Sequence, residues 1–201
     1  MFVTFEGLDG SGTTTQAELL RRHLEEAGRD VVTTREPGGT ELGEQVRDLV
    51  LHGPDVSPWA EAALFAAARA ELVAQVIQPA LERGAEVVCD RYLDSSLAYQ
   101  GIARGLGVDR VLALNMDAIQ GILPDVTFLL LVDPEEASRR SGSASDRIER
   151  EGDEFLRAVD RAYRELSSIY ADRIVALDGS RPAQEIAKEV RGQLPGLSRA
   201  D

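Results

Sequence analysis

The sequence predicts an α/β fold with a five-stranded parallel sheet flanked by helices. Five short apolar segments have the composition of strands that are buried on both faces, and helical patterning separates each from the next. Strands that alternate with helices in this way form parallel sheets. The 201 residues suffice for one core, so we expect a single domain over residues 1–201. The five segments are residues 2–5, 31–34, 86–89, 126–132 and 173–177.

Helices are predicted between these strands. In the first crossover, apolar residues recur at three- and four-residue spacing, and Gly28 supplies a stop. Ser57-Pro58 has the form of a cap followed by a first-turn proline, which predicts a long helix over residues 58–82. A further helical pattern covers residues 108–121.

Composition narrows the functional class. The net charge of −13 argues against nucleic acid as a partner, because pooled basic charge is what binds phosphate backbones. A free nucleotide is compatible with this charge, since a few local arginines can hold its phosphates. No apolar stretch approaches the roughly 20 residues that span a bilayer, and the N-terminus lacks the basic flank of a signal peptide. The lone cysteine, Cys89, fits a reducing compartment, so we expect a cytoplasmic protein without a membrane partner.

A glycine-rich segment joins the first strand to the first predicted helix, which is the context that a phosphate-binding loop requires. Its glycines let backbone N–H groups point inward, and the helix adds its positive dipole end. Thr14 occupies the place of the Mg²⁺-binding hydroxyl, but Thr13 stands where a lysine is expected. The alternative is a turn that merely joins strand to helix. The residues predicted to hold the phosphates of a nucleotide are Gly7, Leu8, Asp9, Gly10, Ser11, Gly12, Thr13 and Thr14.

Polar segments also follow the second and third strands, at the sheet edge where parallel sheets bind ligands. Thr34-Arg35-Glu36-Pro37-Gly38-Gly39-Thr40 follows the second strand, and Asp90-Arg91-Tyr92 follows the third. Phe65 and Arg69 are four residues apart and therefore share one face of a helix. Taken singly, these features have structural alternatives: a turn, an ion pair, and core packing beside a solvated charge.

Together these segments resemble the thymidylate kinase family, in order and over nearly the whole chain. The resemblance implies a P-loop nucleoside monophosphate kinase fold and a phosphotransferase that moves the γ-phosphoryl group of ATP to dTMP, giving dTDP and ADP for nucleotide biosynthesis. Members of the family usually act as homodimers with Mg²⁺. The motifs that carry the resemblance are Phe5-Glu6-Gly7-Leu8-Asp9-Gly10-Ser11-Gly12, Thr34-Arg35-Glu36-Pro37-Gly38-Gly39-Thr40, Asp90-Arg91-Tyr92, Ala98-Tyr99-Gln100-Gly101, Pro124-Asp125-Val126-Thr127-Phe128 and Asp146-Arg147-Ile148-Glu149.

The resemblance implies how the acceptor would be held. Phe65 is expected to stack on thymine, and Arg69 to donate a hydrogen bond to a ring carbonyl. Gln100 is expected at the base edge, with Tyr99 under the deoxyribose. The full set expected to bind the acceptor is Arg35, Glu36, Phe65, Arg69, Arg91, Ser96, Tyr99 and Gln100.

The resemblance also assigns the groups around the phosphates. Arg91 and Arg35 are expected to grip the acceptor phosphate, supported by Glu36. Asp9 is expected to meet the sugar 3′-hydroxyl or a metal-bound water. Thr14 and Asp90 form the expected magnesium site.

Residues 138–152 are polar, small and rich in arginine, which predicts a lid-like loop. Family members supply a catalytic arginine either from the phosphate loop or from the lid. Gly10 occupies the loop position, so the chain resembles the lid type, although a plain polar surface loop is the alternative. The expected catalytic residues are Arg140, Arg147, Asp9 and Arg91.

Two other functions are compatible with the sequence. One is a kinase for another monophosphate, such as dUMP or a guanine nucleotide. The other is a nucleotide-binding protein whose kinase activity is weak or lost because Thr13 replaces the lysine. A switch-type GTPase is disfavoured, because Asn115-Met116-Asp117 departs from the guanine-reading Asn-Lys-x-Asp pattern.

Overall fold

The computed structural model describes residues 1–142 and 146–194. These residues contain a five-stranded parallel sheet in the order β2-β3-β1-β4-β5. The predicted sheet is confirmed, and each strand begins and ends within two residues of its predicted segment. The strands are β1 (Phe2–Gly7), β2 (Val31–Arg35), β3 (Glu86–Asp90), β4 (Val126–Leu131) and β5 (Ile174–Asp178).

Helices cover both faces of the sheet. Val3 and Phe5 of β1 pack in an apolar cluster with side chains of α1 and α9, whereas Phe2 packs in the cluster that includes α3 and α8. This alternation follows from the two-residue repeat of a strand. The helices are α1 (Thr13–Glu26), α2 (Glu41–His52), α3 (Pro58–Leu72), α4 (Gln78–Glu82), α5 (Leu93–Ser96), α6 (Val108–Ala118), α7 (Pro134–Ser141), α8 (Asp153–Ile169) and α9 (Ala183–Gln193).

Two helices contain wide turns of π type. One turn, Val73–Ile77, joins α3 to α4, so the long helix predicted from residue 58 to residue 82 is confirmed with a local widening. The other, Leu97–Ala103, continues α5. A π turn inserts a residue into the helical repeat, and such turns often occur at functional sites.

The predicted lid-like loop over residues 138–152 is partly wrong. Helix α7 continues to Ser141 and ends at Gly142, which has a φ of 91°. Its start is fixed by the Asp133 side chain, which accepts hydrogen bonds from the backbone N–H groups of Glu135 and Glu136, and by Pro134, which fits the first turn. Residues 143–145 lie outside the described residues. Glu149–Glu151 form a short 3₁₀ helix.

Helix α6 ends three residues earlier than the helical pattern suggests. Gln120 and Gly121 have φ values of 51° and 75°, which are left-handed conformations that interrupt a right-handed helix. No helix in residues 1–142 or 146–194 is long and apolar enough to cross a membrane.

Candidate active site

A cavity of about 460 Å³ opens at the carboxyl ends of β1, β2 and β3. Open parallel sheets bind ligands at this edge. The structure brings most of the predicted site residues together here. Those that line the cavity are Asp9, Gly10, Gly12, Thr13, Thr14, Arg35, Glu36, Phe65, Arg69, Asp90, Arg91, Ser96, Tyr99, Gln100 and Arg140.

The glycine-rich loop forms one wall of the cavity. Gly10 and Gly12 have φ values of 82° and 101°, which L side chains rarely adopt. Gly12 caps α1, and the first turn of this helix carries no acidic side chain. The positive end of the helix dipole is therefore open to an anion in the cavity. Thr13, the first residue of α1, is buried and contributes no charge.

Helix α7 packs directly against this loop. A Cβ atom added to Gly10 would lie 2.2 Å from the backbone oxygen of Ala137 in α7. Any side chain at position 10 would therefore collide with backbone, which cannot move aside as a flexible side chain can. The same Cβ atom would lie 2.9 Å from the backbone nitrogen of Ser141, so α7, whose last turn begins the predicted lid, packs on the phosphate loop.

Thr14 and Asp90 form an oxygen pair at the cavity floor. The Thr14 hydroxyl donates to Asp90 Oδ2 at 2.5 Å. Asp90 Oδ1 is buried and has no hydrogen-bond partner among the described residues. An orphaned carboxylate oxygen beside a hydroxyl fits Mg²⁺, which keeps several waters and needs only one or two protein ligands plus phosphate oxygens. No cluster of three potential His, Cys, Asp or Glu ligands occurs in the described parts of the chain.

Arg91 and Asp9 form an ion pair across the cavity. Arg91 Nη2 lies 2.7 Å from Asp9 Oδ1, and the guanidinium lies 5.8 Å from the ring centre of Tyr99. Burial alone would lower the pKa of Arg91, but the charge of Asp9 and smaller contributions from other neighbouring groups together outweigh burial and raise it. Arg91 has a φ of 69°, a strained conformation that its backbone N–H stabilises by donating to Phe5 O. The site therefore holds a permanent cation on a strained backbone.

Arg69 is the largest fully buried side chain among the described residues and pairs with Glu36. Its Nε and Nη2 donate to the Glu36 carboxylate, and its remaining N–H groups donate to Ser96, Asn115 and the Tyr92 carbonyl. Each guanidinium nitrogen thus has a protein acceptor. A ring carbonyl could bind here only in exchange for one of these bonds, so that role of Arg69 stays a prediction.

Three further side chains line the part of the cavity that Arg69 borders. Phe65 is half-buried. Tyr99 is 6% exposed, and its hydroxyl is buried without a hydrogen-bond partner in the described part of the chain. Gln100 donates through Nε2 to Glu61 Oε1 at 2.9 Å. An aromatic ring, an unpaired hydroxyl and an oriented amide are suited to a base and its sugar.

Two of the predicted site arginines, Arg35 and Arg140, line the cavity, whereas Arg147 does not. Arg35 stands at the cavity edge, half-exposed, and pairs with Glu44 at 2.9 Å. Arg140 lines the cavity and binds Glu136 and the Gly179 carbonyl. The structure does not bring Arg147 to the phosphate loop. Arg147 is 7% exposed and donates to Glu61 at 2.6 Å and to a backbone carbonyl of α2. Its catalytic role stays a prediction that would require breaking these contacts.

The chain is similar to known proteins over nearly its whole length. The sequence model of the thymidylate kinase family matches residues 5–190. The chain belongs to the thymidylate kinase family. It is 51% identical over 200 residues to the thymidylate kinase of Leifsonia xyli subsp. xyli, covering 98% of this chain and 95% of that protein. It is 46% identical over 203 residues to the thymidylate kinase of Bifidobacterium longum, covering 98% of each.

A solved structure of the same family is similar to this chain. The crystal structure of thymidylate kinase from Ehrlichia chaffeensis is 34% identical and superposes with a TM-score of 0.79, over 94% of this chain and 95% of that one. The comparisons confirm the expected family, the α/β P-loop kinase fold and the phosphotransferase class.

Two buried carboxylates that support side chains of this candidate site were not predicted from the sequence. Glu61 binds Gln100, Arg104 and Arg147. Glu6, at the end of β1, accepts from the Tyr92 backbone N–H and from the hydroxyls of Ser95 and Tyr163. The only sequence signal for these carboxylates was a glutamate among apolar residues. Their partners are distant in sequence, so no local pattern could reveal the contacts.

Glu6 predicts a pH dependence of stability. Burial, followed by the charge of Asp94, raises the pKa of Glu6 to about 7. The folded protein then holds this proton more tightly than the unfolded chain does, so stability is lost as pH rises from the ordinary glutamate range through 7. We expect the free energy of unfolding to fall, relative to Glu6→Gln, by on the order of 3 kcal/mol between pH 4.5 and pH 8. Denaturant titrations of both proteins measure this difference, and parallel pH profiles would contradict it.

Proposed function

We propose that the protein transfers the γ-phosphoryl group of ATP to dTMP, giving dTDP and ADP. The observation that carries this proposal is the single cavity in which the phosphate loop faces Arg91, Phe65 and Gln100. Phosphoryl transfer requires donor and acceptor phosphates to be held in line, and one cavity with both sets of groups can do this. The free, buried thiol of Cys89 agrees with a reducing compartment, and we assign the reaction to the cytoplasm.

The acceptor would bind in the half of the cavity lined by Phe65. Its base would stack on Phe65 and meet the amide of Gln100 at its edge, while the Tyr99 hydroxyl would gain a partner from the sugar or phosphate. Arg91 and Arg35 would hold the acceptor phosphate, each in exchange for part of its present bond to a carboxylate. Ser96 and Glu36 would act through Arg69, whose orientation they fix.

The donor phosphates would lie on the backbone N–H groups of residues 7–14, at the amino end of α1. Thr14 and Asp90 would hold Mg²⁺, and when bound this ion neutralises charge on the phosphate oxygens. Asp9 sits beside Arg91 and would orient it toward the transferring group. Thr13 supplies no charge, so a cation must come from another part of the site.

Arg140 is the best placed residue to supply that cation. It lines the cavity on α7, where the lid begins. An arginine at the loop position is incompatible with the 2.2 Å approach of Ala137 O to the Cβ position of Gly10. These two observations support a lid-arginine enzyme, and we propose residues 138–152 as its lid. The whole chain would work as one catalytic domain.

The test of the proposed function is ADP release that depends on dTMP, compared between the protein and Thr13→Lys. We expect turnover by the unchanged protein, and a rate about 10²–10³-fold higher in the variant if lysine stabilises the transition state as one oxyanion donor does. An unchanged rate would mean that lysine is dispensable here. ATP binding without any dTMP-dependent turnover would instead favour an inactive nucleotide-binding protein.

We also propose that the protein forms a homodimer. Leu42 and Leu49 lie seven residues apart on one side of α2, and Trp59 opens the neighbouring helix α3. Each of these large apolar side chains is more than a third exposed. Light scattering at micromolar concentration measures the mass directly, and a mass equal to one chain would contradict the dimer.

A further inference from the structure

Glu61 is a buried carboxylate that the proposed reaction does not use directly. It lies in the first turn of α3 and is 1% exposed. Its Oε1 accepts from Gln100 Nε2 at 2.9 Å, and its Oε2 accepts from Arg147 Nη2 at 2.6 Å. Arg104 donates to both oxygens. Partners on several sides therefore fix the orientation of this carboxylate.

The charge on Glu61 determines which way the Gln100 amide points. An ionised carboxylate has only acceptors, so it binds the NH₂ end of an amide and repels the oxygen end. Burial alone would raise the pKa of Glu61, but hydrogen bonds from Gln100 and Arg147 and the charge of Arg104 outweigh burial and lower it. Glu61 is thus ionised at neutral pH. The Gln100 amide, with one N–H bound to Glu61, offers its oxygen and its second N–H to a ligand in the cavity.

That pattern matches one class of pyrimidine. Thymine and uracil present an N3–H donor beside carbonyl acceptors, which pair with an amide oxygen and an amide N–H. Cytosine presents an N3 acceptor beside an N4 amino donor, the reverse pattern, which pairs only with a flipped amide. The wrong base would therefore leave buried polar groups unpaired, and such mismatches discriminate strongly.

We infer that Glu61 is a positioning residue that sets the hydrogen-bond polarity of Gln100 and thereby makes the site select bases that carry an N3–H donor. This inference rests on the proposed function, in which the base edge meets Gln100. Glu61 also holds Arg147, whose neighbours Asp146 and Ile148 line the same cavity. The same carboxylate thus fixes the base-reading amide and Arg147 of the lid segment.

Glu61→Gln tests the inference. In this variant Arg104 and Arg147 take the amide oxygen of residue 61, whose NH₂ group then faces Gln100 and favours the flipped amide. We expect the preference for dTMP over dCMP, measured as the ratio of kcat/KM values and of dissociation constants from calorimetry, to fall about tenfold or more. The preference for dTMP over dUMP should stay within twofold, because both bases carry N3–H. A purely structural defect would weaken all three ligands alike.

Glu61→Asp and Arg104→Met complete the experiment. Aspartate keeps the charge that compensates the two arginines, so the Glu61→Asp variant should fold. Its side chain is too short to reach every partner, so the variant should also lose the preference for dTMP over dCMP. Arg104→Met leaves the contact between Glu61 and Gln100 in place and should keep the preference within twofold. Unchanged preference in folded Glu61→Gln or Glu61→Asp would overturn the inference, as would an equal loss in Arg104→Met. Failure of the proposed function is a different result, because the unchanged protein would then show no dTMP turnover at all.

Discussion

Replacing Arg140 with alanine should lower kcat by about 10²–10³-fold while ATP affinity changes little. Arg140 lines the cavity at the end of α7, and one of its N–H groups binds the Gly179 carbonyl beyond β5. With Thr13 in place of lysine, this side chain would be the cation that neutralises the transferring phosphoryl group. Charge that acts mainly in the transition state affects kcat rather than binding. Single-turnover kinetics and titration with a non-hydrolysable ATP analogue separate the two quantities.

Arg139→Ala is the matched control for this variant. Arg139 is adjacent on the same helix and pairs with the same carboxylate, Glu136, but its side chain is 73% exposed. Its removal should change kcat less than threefold. An unaltered kcat in Arg140→Ala, or an equal loss in both variants, would refute the lid role of Arg140.

Replacing Arg69 with methionine should lower the free energy of unfolding by about 3–5 kcal/mol. Arg69 and Glu36 are 1% and 4% exposed at their side chains, and their contact joins α3 to the segment after β2. Burial alone would lower the pKa of Arg69, but the charge and the hydrogen bonds of Glu36, with smaller contributions from other neighbours, together outweigh burial and raise it. Removing the cation leaves a buried carboxylate without its partner, which costs more than the loss of the pair. Urea unfolding followed by circular dichroism measures the change.

A double variant and an exposed pair provide the controls. Glu36→Gln together with Arg69→Met removes both charges and should recover much of the lost stability. Arg157→Met breaks an ion pair with Glu135 whose side chains are 49% and 75% exposed, and should cost no more than about 1 kcal/mol. A double variant less stable than Arg69→Met would show that side-chain packing, not charge pairing, dominates at this position.

The fold and the phosphate loop could be predicted from sequence because local patterns encode them. Apolar runs define buried strands, and a glycine-rich segment between strand and helix defines the loop. The lid was harder to predict. Polar residues at its start suggested a loop, whereas α7 continues through them to Ser141. Arg147 is buried against Glu61, a residue 86 positions earlier in the chain. Contacts of that range depend on how helices pack, which no local pattern reports.

The same reason explains why Arg69 and Gln100 were only partly predicted. Their positions on the cavity wall follow from helical spacing and from motif resemblance. Their hydrogen-bond partners, Glu36 and Glu61, come from other segments and determine which atoms remain for a ligand. A sequence motif identifies the side chain but does not specify the direction in which its polar atoms point.

The π turn Leu97–Ala103 has a consequence for how substrate preference can change. The consecutive residues Tyr99 and Gln100 of this turn both line the cavity, together with Ser95 and Ser96 four residues earlier. Deleting one residue there would restore an ordinary helix and rotate the following side chains by about 100°. Strands, phosphate loop and lid would remain, but a different side chain would take the place of Gln100 on the cavity wall. In a site built this way, chain length within one helix would decide which side chains face the ligand, alongside the identity of the residues.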